Sequence, residues 1–134
     1  MSGWAITILL IPAAALHLLW AIGYWMPLRD EAALSRAVLG RRDVARMPGA
    51  VPCALVAVAL FFAALLPHWT WFPGRVPLLG LIAAAFVLRG LAAYAPPWRR
   101  LVPEEPFATL DRRYYGPFCL TLGILFLFTF LGVS

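Results

Sequence analysis

The sequence predicts an all-α fold, an integral membrane bundle of four transmembrane helices, and three observations carry that prediction. First, four apolar runs have about the 20 residues that cross a hydrocarbon core roughly 30 Å thick: Trp4–Trp25, Gly49–Leu66, Val76–Ala95 and Tyr114–Val133. Second, hydrophobic residues make up 63% of the 134-residue chain and charged residues 13%, where soluble domains carry about 45–50% and about 25%. Hiding that much apolar surface from water would need a far larger core than this chain can enclose. Third, the arginines gather almost wholly in two of the loops between the runs. Backbone in lipid must satisfy its own hydrogen bonds, so the runs are helices; the alternation of a membrane barrel is absent. Residues 1–134 read as one transmembrane domain.

The first run, Trp4–Trp25, is broken only by His17. No basic residue precedes it, and it is too long for the apolar stretch of a secretion signal. Pro12 removes a backbone donor and predicts a bend one turn earlier, near Ile8. The loop that follows is long enough for a helix of its own over 28–47, mixing Leu34, Val38 and Leu39 with arginines and acids, as a helix lying among headgroups would. After the second run, Trp69, Trp71 and Phe72 in PHWTWFPG form an interfacial belt at a tight connection. After the third, the prolines of APPWRRLVPEEP predict no regular helix. The fourth run is entered through FATLDRRYYGPFCL, where Asp111 or Thr109 is placed to cap the first turn.

Arginine placement predicts orientation. Loop 26–48 holds five arginines and loop 96–113 four, nine in all, against Arg75 alone on the other side. The bias puts both termini outside and both basic loops in the cytoplasm. The net charge of +5 and pI near 10.0 therefore reflect topology, and no nucleic-acid partner is expected. All eleven basic residues are arginine, and Lys, Asn and Gln are missing, a pattern that reads as coding bias.

The residues suited to chemistry cluster toward the predicted cytoplasmic end. His17, Trp20 and Tyr24 fall at i, i+3 and i+7, on one helical face. A polar side chain at this depth normally turns to the bundle interior and finds a partner. Arg89 lies about 9 Å inside the end of the third run, at 1.5 Å per residue. Its predicted partner is Asp111, at the mouth of the fourth run, through a bidentate guanidinium–carboxylate pair. An ion-paired carboxylate makes a poor general acid, which leaves His17 as the better proton carrier. Tyr115 and Cys119 follow Asp111, and Phe86 precedes Arg89 by one turn. The expectation is a ligand cavity in the cytoplasmic half, with His17 and Asp111 as candidate catalytic groups and Trp20, Tyr24, Phe86, Arg89, Tyr115 and Cys119 as candidate substrate-binding groups.

Cys53 and Cys119 stand on the reducing side, which argues against a disulfide, and their isolation excludes a CxxC pair. With His17 they are a conceivable metal set, but small buried cysteines are commoner than ligands. No metal or cofactor is expected. Phosphate-cradling loops, dinucleotide fingerprints, nucleophile elbows and HExxH are all missing.

The order of HLLWAIGYW, MPGAVPCALVAVAL, a lone late arginine in the third run and FATLDRRYYGPFCLTLGILF resembles a family of small bacterial four-helix membrane proteins of unknown function. His17, Trp20, Gly23, Arg89, Leu110, Asp111, Tyr115, Pro117, Cys119 and Leu120 stand at its recurrent positions. An extended first loop and Tyr24, where a second glycine is common, depart from the pattern. The resemblance implies the fold and a bacterial inner membrane, and no activity.

Two functions fit these residues. One is a membrane enzyme of the isoprenoid cyclase or isomerase kind, in which His17 or Asp111 moves a proton and aromatic faces stabilise a developing cation. The other is an accessory protein binding lipid or a partner, its arginines holding anionic headgroups. Membrane lipids and a hydrophobic small molecule are the expected partners. A homo-oligomer is also open, and a transporter would need one.

Overall fold

The computed structural model describes residues 1–133, and every regular element among them is helical. The elements are α1 (Ser2–Ala21), α2 (Glu31–Val38), α3 (Ala50–Leu65) with a 3₁₀ turn at Leu66–His68, α4 (Arg75–Ala92), α5 (Pro96–Leu101), α6 (Phe107–Leu110) and α7 (Gly116–Leu131). A π-type turn, Asp111–Tyr115, joins α6 to α7 in one continuous rod. Four segments are long and apolar enough to cross a membrane: Ser2–Ala21, Ala50–His68, Arg75–Ala92 and Phe107–Leu131. Large apolar side chains such as Ile8, Leu55, Leu81, Leu88 and Leu127 stay on the outside. That surface suits lipid, and the chain is a membrane protein of four apolar helices.

The spans pack as two pairs, α1 on α3 and α4 on α7, joined by a smaller α1–α7 contact. At one end Ile6, Leu10, Ala64, Leu79, Leu122 and Phe126 form a closed core, and Phe86 stacks on Phe126 with centroids 5.7 Å apart. Small residues draw α4 and α7 together, since lipid offers no hydrophobic drive between helices. A Cβ on Gly123 would meet the Val87 side chain at 2.5 Å, and one on Gly90 would meet Leu120 at 2.5 Å. At the other end a smaller cluster gathers Trp20, Leu34, Met47 and Cys53, from α1, α2, the loop after it and α3.

Several boundaries differ from the sequence expectation, each for a local reason. The first helix ends at Ala21, and Tyr24 and Trp25 lie in the turn beyond it. Gly23 takes φ +83, its N–H reaches the Trp20 carbonyl, and the Tyr24 N–H reaches that of Leu19. This is a Schellman closure, which only an easily left-handed residue permits. Loop 28–47 holds a helix of eight residues, Glu31–Val38, capped by the Asp30 carboxylate at Ala33 N. The expectation of no regular helix in the proline-rich loop is overturned by α5. Its prolines, Pro96 and Pro97, stand at the first helical positions, where the missing N–H is not needed.

The fourth rod starts at Phe107, seven residues earlier than the apolar run suggests. Asp111 consequently lies inside it and caps nothing; Glu105 instead accepts from Thr109 N at 3.3 Å. The wide turn falls just before Pro117, whose ring would crowd the carbonyl four residues back in a regular α-helix.

Candidate functional site

The charged pair on the α4–α7 side is built around Asp111, only 2% exposed. Arg89 Nη2 donates to Asp111 Oδ1 at 2.7 Å, forming the expected pair through one nitrogen. Trp98 Nε1 on α5 donates to Oδ2 at 2.9 Å, and the Arg89 guanidinium lies over the Trp98 ring, 4.8 Å from its centroid. Both carboxylate oxygens are thus engaged. Two further hydroxyls brace the π turn. Gly116 N bonds back to the Asp111 carbonyl and Pro117 has no N–H, so the Arg112 carbonyl lacks the usual donor ahead of it. Tyr94 Oη supplies one at 2.8 Å. Tyr115 Oη donates to the Ala37 carbonyl at 2.9 Å, one of the carbonyls that a helix end leaves without a helical partner. The hollow beside Asp111 is about 10 Å³, room for one water at most.

The α1–α3 side is different. His17 Nδ1 lies 2.8 Å from the Ala13 carbonyl. A carbonyl only accepts, so Nδ1 carries the proton and Nε2 of the neutral ring presents a lone pair. The ring sits 4.7 Å from Trp20, whose own N–H is spent on the Met26 carbonyl at 2.7 Å. These two residues, with Leu39, Met47, Cys53 and Val56, wall a cleft of about 200 Å³.

The eight residues expected to share one cavity are therefore divided. His17 and Trp20 line the α1–α3 cleft, whereas Arg89 and Asp111 close on each other beside α5. Phe86, one turn from Arg89, packs against the closed core and stacks on Phe126. Tyr24 is half-exposed in a turn, Tyr115 is tied to α2, and Cys119 is half-buried on α7. The division follows the helix pairing: His17 on α1 shares its cleft with Cys53 and Val56 of α3, and Arg89 on α4 meets Asp111 on the rod that continues into α7. Among the described residues no group of three His, Cys, Asp or Glu is placed to hold a metal. Cys53 joins His17 at the cleft and Cys119 does not.

Comparison with family models places residues 10–126 in one described as "Protein of unknown function (DUF3995)". The chain belongs to this family. No curated protein and no solved structure matches it. The match agrees with the resemblance to a family of unknown function noted above. In this DUF3995 protein the sequence reading missed Trp98, because a proline-rich loop was not expected to aim an indole at Asp111. The Pro–Pro pair was the available signal, since proline at a first helical position starts helices. The reading also missed Tyr94, whose role exists only because of the π turn.

Proposed function

We propose that this DUF3995 protein binds a largely apolar molecule, without catalysis, in the cleft beside His17. The cleft itself carries the reading: about 200 Å³ walled by apolar side chains and one imidazole. That is smaller than the roughly 300–1,000 Å³ of ordinary ligand pockets, so one end of the molecule enters and the rest stays in lipid. A ligand hydroxyl would donate to Nε2 of His17, with its apolar body against Trp20 and Val56. Asp111 is unsuited to protonating a substrate, since Arg89 and Trp98 each hold one of its oxygens and the hollow beside it takes one water at most. In this reading the protein sits in a bacterial inner membrane with its basic loops in the cytoplasm, as the arginine bias supports. Cysteines introduced at Arg46 should label from the cytoplasmic side and those at Thr70 should not; the reverse pattern overturns the orientation.

The binding test uses a photoactivatable farnesol analogue, with the purified protein in detergent micelles. Crosslinks should map to α1 and the start of α3, fall with excess farnesol, and disappear in Val56→Trp, which fills the cleft from its exposed edge. Crosslinks spread along all lipid-facing surfaces and indifferent to farnesol would overturn the proposal. Conversion of farnesol to a cyclic or double-bond isomer would instead favour the cyclase or isomerase alternative, with His17 as proton carrier.

A further inference from the structure

A second recess, of about 470 Å³, opens at the loop end of the bundle between the loop after α2 and helix α5. Arg42 lines it from one wall and Arg99 and Arg100 from the other, with Glu105 at the edge. Among the described residues none of these arginines makes an ion pair or a side-chain hydrogen bond; the only salt bridge is Arg89–Asp111. Glu105 is partly committed, its Oε2 accepting from Thr109 N. Three guanidiniums and one carboxylate leave a formal charge of +2 around the recess. Like charges brought together this way repel unless an anion joins them.

The two walls are also fixed to each other. Glu104 N donates to the Gly40 carbonyl at 3.0 Å. Gly40 has φ +67, and a Cβ there would strike the Phe107 ring at 2.2 Å. Only glycine fits this contact, which holds the Arg42 wall against the segment leading into the fourth span. The arginines are therefore presented by a braced frame, the arrangement that lowers the ordering cost of binding.

We propose that this recess binds a dianionic phosphoryl group, a phosphate monoester in particular. Such a group carries about −1.5 to −2 charges and three strong acceptor oxygens at neutral pH, matching the formal +2 and the forked donors of arginine. The chemistry is shared by a lipid such as phosphatidic acid and by free phosphate, and it does not depend on the cleft beside His17.

The test measures binding to purified full-length protein in dodecyl maltoside by isothermal titration. Its probes are dioctanoyl phosphatidic acid, dioctanoyl phosphatidylcholine and inorganic phosphate. Phosphatidic acid or inorganic phosphate should bind, and phosphatidylcholine should not. Preference for phosphatidic acid assigns a lipid headgroup, and equal binding of inorganic phosphate assigns a soluble anion. Arg42→Gln and Arg99→Gln should each weaken binding by about tenfold or more. Arg113→Gln, on the same basic end but outside the recess, should leave it unchanged. Equal losses in all three variants would show a diffuse surface potential and overturn the site. So would a folded wild-type protein that binds neither phosphoryl probe. If Arg42→Gln fails to fold, Arg100→Gln tests the same recess from the α5 wall.

Discussion

The two sides of the loop end treat their polar groups in opposite ways. On the α4–α7 side an arginine, a carboxylate and an indole close on one another, leaving about 10 Å³. On the α1–α3 side one histidine satisfies itself on its own helix and faces about 200 Å³ of open cleft. A buried charge is costly unless its bonds are met within the protein. Asp111 has a partner on each oxygen and almost no free volume beside it. His17 meets one and keeps one. Of these two groups, only His17 keeps spare bonding capacity beside open volume.

The largest expected effect lies on the closed side. Asp111→Leu strands Arg89 in a half-buried place, and breaking such a pair costs about 3–5 kcal/mol. Arg89→Leu should do comparable harm by stranding a carboxylate that is 2% exposed. Thermal unfolding in detergent should show the double variant recovering part of the loss. Strictly additive losses would mean the pair contributes nothing as a pair.

A middle-sized effect separates the indole's two roles. Trp98→Phe keeps an aromatic ring beneath Arg89 and removes the donor to Asp111 Oδ2. An unmet buried acceptor costs about 1–3 kcal/mol. Trp98→Leu should cost more by about 0.5–2 kcal/mol, since the cation–π contact goes too. Equal losses in the two variants would show that the ring face contributes nothing.

The closed side was partly legible in the sequence, and the open side was not. Arg89 and Asp111 were the strong opposite charges at one depth, so charge and helix rise sufficed to pair them. The depth of His17 was equally readable. Its direction was not, because the azimuth of a span depends on which neighbour it packs against. Apolar runs this uniform carry no stripe that names the neighbour. The single cavity expected from depth alone therefore came apart once α1 paired with α3. Trp98 was hidden for another reason: its position depends on two prolines starting a helix that their number seemed to forbid.

The smallest expected effect on stability belongs to His17, and it sharpens the comparison most. His17→Ala removes one bond, from Nδ1 to a carbonyl on the same helix, so no tertiary partner is left unmet. A net hydrogen bond is worth about 0.5–1.5 kcal/mol, and the thermal midpoint should stay close to wild type. Occupancy of the cleft should change much more, because the variant loses the acceptor that orients a hydroxyl. Crosslinking by the farnesol analogue should fall several-fold in His17→Ala and recover in part in His17→Gln, which restores an acceptor at similar reach. If His17→Ala instead unfolds as readily as Asp111→Leu, His17 is a structural pin like its counterpart across the bundle. The contrast between a closed side and an open one would then be a contrast of volume alone, with no chemistry attached to it.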